Sequence, residues 1–176
     1  SYDAYHEKAD RIYRLVESET IGGVSATFAV APFVSAPAFA SEIPEIETYA
    51  RLLVSSPLAI VEDSRFDLTR VYYTDPGFFH IFSHVFLTGD RETALDSPGS
   101  LVLTEETARK LFGRTDVVGK TVNFNNAVDL KVTAVVAAVP ANSHFRFNGL
   151  ASISTIAERP DIRPVMEDWF RITGWI

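Results

Sequence analysis

The stretch from Ser100 to Val136 constrains this chain more than any other. Ser100–Leu103 reads as a short buried strand. Thr104 follows as a helix N-cap, because its hydroxyl can accept from a free backbone N–H of the first turn. Glu105 and Glu106 then sit in the first turn, and Arg109 and Lys110 in the last. Acid first and base last complements the helix dipole. Gly113 stops the helix. Residues 120–139 form a hairpin, with Thr121–Phe124 and Leu130–Val136 flanking Asn125 and Asn126, which tolerate positive φ in a turn. Strand, helix and hairpin in such close succession predict an α+β class, with mixed sheets and short helices.

The remaining segments fit that class. Residues 3–14 start helical, with Ala4, Tyr5, Ala9, Ile12 and Tyr13 at three-to-four spacing. From Ile12 to Glu17 the pattern alternates like a strand, and Gly22-Gly23 breaks it. Residues 27–42 read as a helix of small residues, closed by Pro44, and Ile46–Val54 as a strand. Residues 58–63 and 65–74 alternate like an antiparallel hairpin. Asp75 is the expected N-cap, and Pro76 the first residue, of an aromatic helix reaching Phe86. Residues 91–96 read as a helical turn. Residues 144–156 and 169–176 look extended, and Pro140 ends the strand before them. The chain holds no internal repeat and no low-complexity segment.

Composition narrows the function classes. The chain has 176 residues, 47% hydrophobic and 22% charged, a globular balance that needs no disulfide to hold a core. It has no cysteine, which excludes a thiol nucleophile, a zinc ribbon and a redox pair. The net charge of −7 disfavours nucleic acid and anionic lipid surfaces as partners. Ala26–Ala40, the most apolar run, is interrupted by Pro32 and Pro37 and falls short of the roughly twenty residues that span a bilayer. The opening Ser1-Tyr2-Asp3 carries no signal-peptide pattern, so any export signal or anchor is expected outside this sequence.

Three patterns suggest chemistry, and each has a plainer explanation. Gly113 to Thr121 looks like a phosphate-binding loop, but five residues separate Gly113 from Gly119 where the motif needs four. It also leaves a helix and enters a strand, the reverse of the order that points a helix N-terminus at phosphate. His80 and His84 are spaced to share one helical face and a metal, yet a third ligand is missing and phenylalanines surround them. No G-x-S-x-G elbow supports a hydrolase. Thirteen Phe, six Tyr and two Trp are explained as core before they are explained as a ligand groove. No residue is assigned a catalytic, cofactor-binding or metal-binding role, and no cofactor is expected.

Several stretches, in order, resemble a known family. Ser1–Arg14 is similar to the segment after the first transmembrane helix of MacB/FtsX-like permeases. Asp75–Phe82 resembles the family's aromatic helix, and Leu87–Asp90 with Ala94-Leu95 the turn after it. Ser100–Gly113 and Val118–Thr121 resemble its most recognisable stretch, and Val132–Val139 with Pro140–Phe145 the strand and loop beyond. The resemblance implies a non-enzymatic, two-lobed periplasmic core domain over residues 1–176, on the outer side of the inner membrane. Transmembrane helices beyond this sequence would tether it. It implies a cytoplasmic ATPase subunit as partner, a permease homodimer, and a periplasmic adaptor or lipoprotein carrier. The implied role is mechanotransmission, in which ATP hydrolysis drives export or the regulation of a partner. The family domain continues past the strand that Trp169–Ile176 resembles, which implies a trimmed chain or an incomplete second lobe. A free-standing periplasmic module binding a peptide or lipid on exposed aromatics is the alternative reading, and a hydrolase or metal enzyme the third. Exposed members of 76–86 and of 26–40 are the expected partner contacts.

Overall fold

One mixed sheet separates two apolar layers. A computed structural model describes residues 9–138, 145–157, 159–169 and 172–174. The chain passes through a 3-10 turn at Ala9–Arg11, then a hairpin of β1 (Glu17–Ile21) and β2 (Val24–Phe28). A two-residue strand β3 (Ala31–Pro32) leads into α1 (Ser35–Glu42). Next come β4 (Leu52–Ser55), β5 (Leu58–Val61), β6 (Ser64–Asp67), β7 (Val71–Thr74), α2 (Phe78–Ile81) and β8 (Phe86–Gly89). The second half runs β9 (Ser100–Thr104), α3 (Glu105–Phe112), β10 (Thr121–Phe124), β11 (Val128–Val136), β12 (Gly149–Ser152), α4 (Ser154–Ala157), α5 (Arg163–Glu167) and β13 (Ile172–Gly174).

Among the described residues nine strands form the main sheet, in the order β4-β7-β12-β9-β11-β10-β5-β6 with β8 beside β11. The β7–β12 and β9–β11 pairs are parallel and the other pairs antiparallel. β11 organises the middle. Its start pairs with β10 and its end with β8, while β9 runs along its other side.

Strand alternation sends side chains to two layers. Val71, Tyr73, Leu101, Leu103, Leu130, Val132 and Ala151 pack with Ala108 and Leu111 of α3, Ile156 of α4 and Met166 of α5. Tyr72, Val102, Leu150, Ala134 and Val136 pack on the opposite side with Phe78, Phe79, Leu95 and Phe147. The register of β11 against β9 shifts between Val132 and Ala134. Thr133 is the extra residue, and its hydroxyl donates to the carbonyls of Ala94 and Leu101 at 2.7 and 3.2 Å. This bulge moves β11 from one alternation to the other, so Val132 and Ala134 face different layers.

The Ser100–Val136 expectation matches the structure in detail. Thr104 is extended and its Oγ1 accepts from the Thr107 N–H at 3.3 Å. Gly113 takes the left-handed conformation, φ 71°, and its N–H donates to the Arg109 carbonyl. Asn125 and Asn126 hold φ of 58° and 55° at the hairpin turn. The Asn125 side chain also accepts from the Leu58 N–H at 2.8 Å, which fixes the turn to β5.

Elsewhere the structure corrects the sequence reading. Residues 27–42 are not one helix. Phe28 ends β2, Ala31-Pro32 form β3, and only Ser35–Glu42 are helical, because Phe33 must enter the core at 0% exposure. The strand expected from Ile46 begins only at Leu52. The run 65–74 splits into β6 and β7, with Arg70 at a positive φ of 52° between them. The aromatic helix stops at Ile81, and Phe86 belongs to β8. Residues 91–96 are turns, and 144–156 yield β12 followed by α4. Of the expected helix at 3–14, residues 3–8 lie outside the described ones, and Ala9–Arg11 are 3-10. The strand expected from Ile12 begins only at Glu17, as β1. Of the extended reading of 169–176, Ile172–Gly174 form β13 and Trp169 lies in a turn, while 170–171 and 175–176, like 139–144, lie outside the described residues.

Candidate functional site

Early and late parts of the chain meet at one junction. β3 pairs antiparallel with β13, with Pro32 opposite Ile172 and Ala31 opposite Gly174. Phe39 of α1 lies 6.4 Å, centroid to centroid, from Trp169. Beside it, a charged pair ties the start of β4 to the end of β7 within the main sheet. Asp75, just past β7, accepts three bonds from Arg51, just before β4. Its Oδ2 takes the Arg51 backbone N–H at 2.8 Å and Nε at 2.9 Å, and its Oδ1 takes Nη2 at 2.7 Å. The two side chains are only 13% and 8% exposed. The guanidinium carbon lies 6.0 Å from the Phe33 ring and 5.7 Å from the Tyr49 ring, close enough for cation–π attraction.

Burial opposes the Arg51 charge, but the hydrogen bonds and charge of Asp75 outweigh it and raise its pKa above the usual arginine value. Burial also raises the Tyr49 hydroxyl, and the nearby Asp75 carboxylate raises it further. Arg51 therefore serves as a fixed cation rather than a proton donor, and the pair works as a clamp. This geometry corrects the N-cap expected of Asp75. The residue flanking α2 is Gly77, without a side-chain cap. Charge-assisted, bidentate bonds to Arg51 are stronger than one neutral cap bond. Glycine at 77 is required for another reason: a Cβ there would run into the Tyr49 carbonyl and the Thr48 hydroxyl.

The aromatic segment forms the second layer rather than a free surface. Phe78 sits centrally, 5.2 Å from Phe79, 4.9 Å from Phe82, 5.8 Å from Phe145 and 5.9 Å from Phe147. His84 stacks on Phe78 at 5.7 Å. His80 is exposed and lies 3.6 Å from Glu92. The helix ends before His84, so the two histidines do not form the expected pair on one face. Among the described residues no three His, Cys, Asp or Glu side chains cluster to hold a metal. Of the expected contact segments, Pro76, His80 and Val85 are exposed, as are Ala26, Thr27 and Phe28. Phe33, Ser35 and Ala36 are buried.

The glycine segment 113–121 has no phosphate cradle. Gly119 donates its N–H to the Val132 carbonyl at 2.7 Å, and Lys120 to that of Val117 at 3.0 Å. These donors are spent on β11 and on the turn. Sequence reading missed the Arg51–Asp75 clamp. A carboxylate before Pro-Gly looks like a cap, and no spacing rule links it to an arginine so far upstream.

Among the described residues no helix is long and apolar enough to cross a membrane. Three solved structures share the fold. A domain assigned to a permease protein from Porphyromonas gingivalis aligns with TM-score 0.71 and 22% identity, covering 91% of this chain and 68% of that one. The periplasmic region of MacB from Actinobacillus actinomycetemcomitans gives 0.58 and 20%, covering 81% and 62%. The extracellular domain of the ABC-type transporter YknZ from Gram-positive bacteria gives 0.50 and 16%, covering 72% and 59%. This chain thus spans less than two thirds of the latter two. No curated protein matches it. The family model of the MacB-like periplasmic core domain, however, matches residues 2–167. With nearly the whole described fold inside that match, the chain belongs to the MacB-like periplasmic core domain family.

Proposed function

We propose that this domain is the extracytoplasmic part of an ABC transporter permease and works as a mechanical coupling body without catalysis of its own. The observation that carries this reading is the clamped junction. β3 pairs an early segment with late strand β13, and Phe33, just after β3, anchors that segment in the core of a sheet packed on both faces, against the Arg51 guanidinium that Asp75 holds. Close-packed interiors transmit displacement rather than absorb it. A shift of the junction would therefore carry the whole sheet with it. In this reading the domain sits on the periplasmic side of the inner membrane, tethered by transmembrane helices. A cytoplasmic ATPase subunit drives it, it pairs with a second permease copy, and it acts on an adaptor or a lipoprotein carrier during export or regulation.

The test uses the intact permease with its ATPase. The sequence lacks cysteine, so Arg114→Cys and Asp63→Cys would place labels at two chosen exposed sites of the domain. Pulsed electron paramagnetic resonance should show a constant distance within the domain and a changed distance between copies when nucleotide is trapped. A changed internal distance, or no change between copies, would refute rigid-body coupling.

A further inference from the structure

The hairpin β1–β2 belongs to neither layer. All five residues of β2 are exposed, and the apolar Val24 and Phe28 are 73% and 41% exposed. Among the described residues β2 pairs only with β1. The hairpin is still well formed. Gly22 and Gly23, at φ 59° and 84°, make its two-residue turn. Hydroxyl pairs Ser18–Thr27 at 2.9 Å and Thr20–Ser25 at 2.8 Å fasten one face. In a hairpin with such a turn, Ile21 and Val24 are the hydrogen-bonded pair next to it. Alternation then points the N–H and C=O groups of Ser25 and Thr27 away from β1.

That outer edge lacks the usual protection. Natural edge strands are blocked by lysine, proline, a bulge or extreme shortness. β2 reads Val-Ser-Ala-Thr-Phe, with an unbroken register over five pairs. Among the side chains described in β1, Glu17 carries the charge. The Glu17 Oε2 is shielded from solvent and accepts no hydrogen bond from the described residues. An enclosed carboxylate oxygen without a donor is costly, and an incoming lysine or arginine would satisfy it. The net charge of −7 also sets a second copy of this chain against the first and favours a basic partner.

We propose that β2 is a strand-addition edge that takes an extended, basic segment of a partner protein. Backbone groups of Ser25 and Thr27 supply affinity, and Glu17 supplies the preference for positive charge. The inference stands apart from the transporter reading, since it needs only the hairpin.

The probe is a synthetic peptide alternating lysine and valine, titrated into the isotope-labelled chain and followed through its backbone amides. A peptide alternating glutamate and valine is the control. Shifts confined to the hairpin, with the basic peptide preferred, are expected. Thr27→Pro removes an outward N–H that β1 does not use and should weaken binding about tenfold or more. Thr27→Lys keeps that N–H, sets positive charge against the incoming strand, and should weaken binding similarly, which guards against a misfolded proline variant. Glu17→Gln should narrow the preference between the two peptides. Equal binding of both peptides, shifts located away from the hairpin, or full affinity in both Thr27 variants would overturn the proposal. So would concentration-dependent broadening of β2 without peptide, which would identify a second copy as the occupant.

Discussion

β9 and β2 are both five-residue strands, yet every residue of β9 is buried and every residue of β2 is exposed. β9 has strands on both sides and a packed layer on each face. Among the described residues β2 has one neighbour and no layer. Turn chemistry and cross-strand hydroxyls suffice to shape a hairpin, but isolated two-stranded hairpins are only marginally stable in water. A buried leucine or phenylalanine contributes about 1.5–3 kcal/mol, which no exposed side chain of β2 can match. Local instructions thus give both regions their form, and burial gives only the sheet its rigidity. That difference suits a stiff body carrying an accessible edge.

Substitutions can break or sharpen this contrast. Phe78→Ala opens a cavity at the centre of the aromatic layer. It should lower unfolding free energy by about 3–5 kcal/mol in urea titrations. A loss below about 1 kcal/mol would mean that this layer is not what stiffens the sheet. Asp75→Ala strands a buried guanidinium and should lose about 3 kcal/mol, while Arg51→Met combined with Asp75→Leu should regain most of it. If the single change proves harmless, the junction is not clamped. On the hairpin, Val24→Ser should shift stability by less than about 0.5 kcal/mol in the free domain. A larger effect would show that the hairpin is covered and erase the contrast with β9.

Legibility in the sequence followed the same divide between local and distant causes. α3 could be read because its cap, its charges and its stop lie within ten residues of one another. The β10–β11 hairpin could be read because two asparagines fix its turn. The segment 27–42 was misread because small residues suit helix and strand alike, and only the distant partner β13 makes Ala31-Pro32 a strand. The aromatic helix was drawn too long for a similar reason. Phe86 follows the spacing of Phe78 and Phe82, but β11 draws it into the sheet. Of the candidate site, the aromatic segment was visible as core material, and the Arg51–Asp75 clamp was not, because nothing local distinguishes an ion pair from a cap.

The extra residue in β11 acts like a frameshift within a strand. Upstream of Thr133, even-numbered side chains fill the α3 layer; downstream, even-numbered side chains fill the aromatic layer. Replacing Thr133 would disturb two hydrogen bonds to Ala94 and Leu101. Deleting it would remove the bulge yet leave Ala134, Val135 and Val136 on their present faces, because Leu101 and Val102 of β9 already pair with Val132 and Ala134 in direct succession. Thr133 therefore acts as a tie rather than a spacer: Thr133→Val would keep the layers as they are and release β11 from the carbonyls of Ala94 and Leu101.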